Sequence, residues 1–171
     1  MATAGDDGLP AFLTVRRRLF GIAYRMLRSA ADAEDIVQDV WVRWQKADRA
    51  TVRDAEAFLV TTTTRLTINV IQSARARREL HGPRLTEPAD VSSDPGLGAE
   101  RSQALAVGIQ LLVKTLTPTE RAAYILREAF DYPYRDIANR LRLQEANARQ
   151  VVTRARQHVA SSRRVSRGAT E

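Results

Sequence analysis

The chain contains no cysteine, so it forms neither disulfides nor thiolate metal sites, and its composition fits a reducing cytoplasm. Imidazole is almost as scarce. His81 and His158 are the only histidines and lie far apart, which argues against a histidine-based metal or catalytic centre. The glycine patterns GxGxxG, GxxxxGK[ST] and GxSxG are missing, so dinucleotide, P-loop and nucleophile-elbow chemistry have no foothold. No apolar run approaches the length of a membrane-spanning helix. The opening MATAGDDGLP is acidic and has no apolar core segment, so it does not read as a secretory signal. These absences lead to the expectation of no cofactor, no metal, no membrane span and no enzyme.

What is present is positive charge. The 171 residues carry a net charge of +7, which favours a polyanionic partner, with nucleic acid the first candidate and a membrane surface the second. Residues 80–99, LHGPRLTEPADVSSDPGLGA, hold three prolines and three glycines without helical period. They predict a flexible linker between two small helical domains, 10–79 and 100–162, followed by a polar tail over 163–171. No strand is needed, and the expected fold class is all-α, with a four-helix second domain.

In the first domain, helices are expected over 13–27, from a cap at Ser29 to about 47, and over 55–78. The Thr61–Thr64 run is β-branched and favours a strand locally. Phe58, Leu59, Leu66, Ile68, Val70 and Ile71 do not alternate, so helix is the reading kept. Ile36, Val37, Val40, Trp41 and Trp44 form an apolar face; Asp35, Gln38, Asp39 and Val42 form a separate stripe at i, i+3, i+4 and i+7. In the second domain, Thr117-Pro118-Thr119-Glu120 is a helix start with a capping box.

Residues 134–156, YRDIANRLRLQEANARQVVTRAR, say most about function. Ile137, Ala138 and Leu141 give one apolar face, and Leu143, Ala148, Val151, Val152 and Ala155 a second, separated by a short break. This is the pattern of a helix-turn-helix, whose second helix enters a DNA major groove. Its outward face would carry Glu145, Asn147, Arg149, Gln150, Thr153, Arg154 and Arg156. Arg149 could pair with guanine, Asn147 or Gln150 with adenine, and Glu145 with cytosine; Arg154 and Arg156 suit phosphate, as do Arg140 and Arg142 beside the turn. An ordinary helical hairpin with a solvated basic face is the alternative.

Together the segments resemble the extracytoplasmic-function sigma factors of bacterial RNA polymerase. RLFGIAYRMLRSAADAEDIVQDVWVRW and AFLVTTTTRLTINVIQSARARRE are similar to the helices of the module that melts and reads the −10 promoter element. LTPTERAAYILREAFDYPYRDIANRL and EANARQVVTRAR are similar to the −35-reading module. The resemblance covers nearly all of residues 11–160. RLFGIAYRML, FDYPY, SARARRE and HGPRLTEP are similar to a subgroup that carries a further SnoaL-like domain. That subgroup usually has tryptophan at Arg84 and proline at Thr86, and because this sequence ends at Glu171 the extra domain is expected to be absent here or lost with a truncation. Arg142 stands at the turn of the helix-turn-helix where the family often has glycine. Positive φ there would cost about 1 kcal/mol, so a local difference in the turn is expected.

The resemblance implies roles. Asp35, Gln38 and Asp39 would face the coiled-coil clamp helices of the polymerase core. Residues 48–54 would be the loop that accepts a flipped −10 base, with Arg49 and Arg53 on phosphate. Arg65, Asn69 and Ser73 share a face behind it, and Arg75, Arg77 and Arg78 make a basic helix end suited to duplex phosphates or to the helix dipole. Close relatives often have aspartate at Asn69. The expected partners are polymerase core and promoter DNA, and whether an anti-sigma factor binds is not decided by the sequence. A stand-alone helix-turn-helix regulator is the competing reading; the acidic stripe followed by a basic helix is what such a regulator does not need.

Overall fold

The computed structural model describes residues 8–81 and 115–168, and among these every regular element is helical. Helix α1, Leu9–Leu27, follows Gly8, whose φ of 72° lies in the left-handed region. A Cβ at Gly8 would stand 2.4 Å from Trp44 Nε1, and the Trp44 indole donates to the Gly8 carbonyl at 2.9 Å. Pro10 sits in the first turn, where no N–H is needed, so α1 starts before the expected residue 13. Phe12, Val15, Leu19, Ile22, Ala23 and Met26 form its buried face.

Helix α2, Ala30–Lys46, is capped by Ser29, whose hydroxyl accepts from the Asp32 amide at 3.2 Å. It buries Ala33, Ile36, Val37, Val40 and Trp44, while Trp41 is half-buried against Phe12. A 3₁₀ turn, Arg49–Thr51, follows. The two acids of this connection are caps: Asp48 accepts from the Ala50 amide and Asp54 from the Ala57 amide. Helix α3 then runs Ala55–His81. Its threonine run is helical, with Thr63, Thr64 and Thr67 buried in the packing and the hydroxyls of Thr62, Thr63, Thr64 and Thr67 each satisfied by the carbonyl four residues back, at 2.7–2.9 Å. α3 takes in Leu80 and His81, the first two residues expected for the linker.

The rest of the expected linker, and residues 100–114 of the expected second domain, lie outside the described residues. Helix α4, Pro118–Glu128, has the expected capping box: Thr117 accepts from the Glu120 amide at 3.2 Å and Glu120 from the Thr117 amide at 3.1 Å. Helix α5, Tyr134–Leu141, and helix α6, Glu145–Gly168, pack on each other and on α4. Arg142 between them adopts φ 56°, ψ 44°, so the turn keeps its left-handed geometry without glycine. The amides of Arg142 and Leu143 both reach the Ala138 carbonyl, which offsets part of the strain. α6 extends through residues 163–168 of the expected polar tail. Nothing between Ala160 and Arg167 is glycine or proline, and the arginines there favour helix and complement its C-terminal dipole.

The two helical units pack against each other. One buried cluster contains Leu19, Ile22, Met26 and Leu59 from the first and Leu126, Ile137 and Val152 from the second. Gly21 in α1 lets the Phe130 ring approach: a Cβ there would stand 3.2 Å from Phe130 Cζ. Polar ties cross the same boundary. Arg121 donates to the Met26 carbonyl at 3.0 Å, and the Tyr132 hydroxyl donates to Glu56 at 3.2 Å beside the Arg18–Glu56 ion pair.

Candidate nucleic-acid interface

The face of α6 follows from its apolar period. Ala148, Val151, Val152, Ala155 and Val159 point inward, which turns Glu145, Asn147, Arg149, Gln150, Thr153, Arg154 and Arg156 to solvent, the full set expected from the sequence. The face is already organised. Arg149 pairs with Glu145 at 2.8 Å and lies over the Tyr134 ring at 4.6 Å. Thr153 donates to the Arg149 carbonyl. Arg156 donates to Glu128 at 2.6 Å, and that hydrogen bond holds its guanidinium above the ordinary arginine range against a smaller opposing effect of burial. Of the two arginines beside the turn, Arg142 is exposed, but Arg140 is not a surface cation. It is buried over the Tyr132 ring at 4.4 Å and tied to Asp136, because α5 turns that side toward the first unit.

The residues expected to meet −10 DNA divide into two groups. Arg53, Asn69, Ser73, Arg77 and Arg78 are exposed, the last two with Nε against carbonyls of their own helix. Arg49 is half-buried with its guanidinium 6.0 Å from the Trp44 ring. Arg65 and Arg75 instead face the second unit. Arg65 donates to the Arg140 carbonyl at 3.3 Å, and burial followed by the charge of Arg142 lowers its pKa. Arg75 donates to the Leu116 carbonyl at 2.9 Å. Beside the 3₁₀ turn an open cleft of about 540 Å³ is lined by Arg43, Lys46, Thr51, Phe58 and Thr62, among others. Sequence reasoning singled out the loop but not Arg43, Lys46 or Phe58, which come from the helices on either side of it.

Asp35, Gln38 and Asp39 are all exposed on α2, with Val42 beside them 40% exposed, opposite the buried Ile36, Val37, Val40 and Trp44. The stripe is thus a surface in the folded chain. Among the described residues no group of histidine, aspartate and glutamate could hold a metal ion, and no helix is long and apolar enough to cross a membrane.

Residues 11–77 match the Sigma-70 region 2 family and residues 107–159 the Sigma-70 region 4 family, so the two helical units are the two modules of a sigma-70 protein. The chain is 35% identical over 152 residues to the ECF RNA polymerase sigma factor SigJ of Mycobacterium tuberculosis, covering 86% of this chain and 48% of that protein. It spans about half the length of the curated relatives it matches. The crystal structure of Mycobacterium tuberculosis SigJ superposes with a TM-score of 0.62 at 31% identity, over 88% of this chain and 52% of that one. The sigma factor RpoE of Bartonella quintana, solved with the anti-sigma factor NepR, shares the fold with a TM-score of 0.74 at 21% identity, over 94% of this chain and 99% of that one. The chain belongs to the sigma-70 family, in its extracytoplasmic-function group.

Proposed function

We propose that this chain is a promoter-specificity subunit of bacterial RNA polymerase with no catalysis of its own, working in the cytoplasm. The carrying observation is the α5–α6 helix-turn-helix, whose polar reading face is fully exposed within a segment that matches Sigma-70 region 4. In this reading α6 lies in the −35 major groove with Glu145, Asn147, Arg149 and Gln150 toward base edges and Arg154 and Arg156 toward phosphate. Asp35, Gln38 and Asp39 dock on a basic face of the core enzyme, where opposite charge sets register and steers encounter.

The cleft at the 3₁₀ turn takes a −10 base flipped from the melted strand. Arg43 and Lys46 supply positive charge for the backbone and Phe58 a flat apolar wall. Arg49, Arg53, Asn69, Ser73, Arg77 and Arg78 line the path of the same strand. Arg65 and Arg75 join them once the second unit moves off α3, so promoter engagement requires the two units to separate.

The test is reconstitution. The chain with core polymerase should co-elute and initiate at one selected promoter, while the free chain binds that promoter weakly. Tight, sequence-specific binding by the free chain, without core association, would instead make it a stand-alone regulator.

A further inference from the structure

Tyr134 opens α5 and belongs to none of the candidate sets, yet it collects the arginines of the reading face. Its ring lies under the guanidinium of Arg127 from α4 and that of Arg149 from α6, each 4.6 Å from the centroid. Arg127 is itself anchored, donating to the Tyr132 carbonyl at 3.0 Å. Arg149 is held from its other side by Glu145 at 2.8 Å. Arg156, further along α6, is fixed separately on Glu128 at 2.6 Å. Thus one half-buried ring joins α4 to the start of α6.

An exposed arginine samples many rotamers, and bidentate pairing with a base requires its planar fork in one orientation. Ordering that fork at the moment of binding costs affinity; a ring and a carboxylate that order it beforehand remove much of this cost. Arginine stacks well on an aromatic face, which also keeps the guanidinium plane defined.

We propose that Tyr134 is a positioning residue for −35 recognition: its ring face aims Arg149 at its base pair. The proposal rests on the assignment of α6 as the recognition helix. It separates two parts of one side chain, since phenylalanine keeps the face and loses the hydroxyl, and leucine loses both.

The experiment measures binding of the full chain, with core polymerase, to a library of single-base-pair variants of its −35 element at two salt concentrations. Wild type, Arg149→Ala, Tyr134→Phe, Tyr134→Leu and the Arg149→Ala/Tyr134→Leu double variant are compared, each checked by thermal melting. Arg149→Ala is expected to flatten preference at one base pair. Tyr134→Leu should reduce preference at the same base pair by about fivefold, with no further loss there in the double variant. Tyr134→Phe, which retains the ring face, should keep that preference. If Tyr134→Leu weakens all sequences alike while preference at the Arg149 base pair survives, Tyr134 is a phosphate or packing residue and the proposal falls. If Tyr134→Leu does not fold, loss of that preference in the folded Tyr134→Phe overturns it. If Arg149→Ala changes nothing, the recognition-helix assignment fails and the proposal with it.

Discussion

Arg121, in the first turns of α4, donates a hydrogen bond to the backbone carbonyl of Met26, 3.0 Å away near the end of α1. The guanidinium is buried at the junction of the two helical units, and its pKa is lowered to about 10, mainly by burial and further by the charges of Arg75 and Arg78. A cation held in this way is tolerated because the closing carbonyl, one of the last of α1, has few other donors within reach.

Arg121→Ala leaves the Met26 carbonyl short of a donor and a side-chain-sized gap, which relief from charge burial only partly offsets. The expected loss is on the order of 1–2 kcal/mol, and Arg121→Met, which refills the gap, should lose less. Urea denaturation of both variants checks this; equal loss would show that packing contributes nothing at the site.

The contact between Phe130 and α1 should control access to α3. Phe130 packs at Gly21 and lies under the Arg25 guanidinium at 5.2 Å. Phe130→Ala removes this contact and weakens the closed packing by about 1–2 kcal/mol. Arg65 and Arg75 are then freed more often, so the free chain should bind single-stranded −10 DNA up to about tenfold more tightly. Fluorescence anisotropy with a labelled −10 oligonucleotide measures it. Unchanged affinity would mean that closure and DNA binding do not compete.

What the sequence made legible was local. The Ser29 cap, the capping box of Thr117 and Glu120 and the exposed face of α6 each depend on residues a turn or two apart, where period and cap chemistry suffice. The stripe of Asp35, Gln38 and Asp39 was legible for the same reason. What was not legible depends on residues far apart in the chain. Arg140 read as a phosphate contact beside the turn and Arg121 drew no role from its sequence, and only the approach of α1 and α3 buries them. Arg65 and Arg75 read as DNA contacts, and their partners, the carbonyls of Arg140 and Leu116, belong to the other unit. Tyr134 showed only as the first residue of a helix, since its arginines come from two other helices.

Asp39→Arg, alone or with Asp35→Arg, should abolish co-elution with core polymerase while leaving stability within about 0.5 kcal/mol, since both side chains are exposed and away from the core. Circular dichroism melting and size-exclusion co-elution read the two effects separately. Retained co-elution would remove the stripe from the core interface.

Alkaline pH should loosen the junction through Tyr132. Its hydroxyl donates to Glu56 at 3.2 Å and lies 3.4 Å from an Arg18 nitrogen. Burial raises the phenol above the ordinary tyrosine range, and the hydrogen bond and charge of Arg18 pull it back only in part. The folded chain therefore keeps a proton that the unfolded chain gives up near pH 10. The stabilisation from Tyr132 is present below that pH and is lost as pH rises toward the folded value. Arg121 acts in the opposite sense above pH 10, because its lowered pKa lets the folded chain shed a proton first. Comparison with Tyr132→Phe isolates the phenol from it. Near pH 8 wild type should exceed Tyr132→Phe in stability by about 0.5–1.5 kcal/mol, the net worth of the hydroxyl's hydrogen bond. As pH rises above about 10 that gap should shrink, with Arg121 common to both proteins. A gap that stays constant across this range would show that Tyr132 titrates normally and that its hydroxyl is open to water.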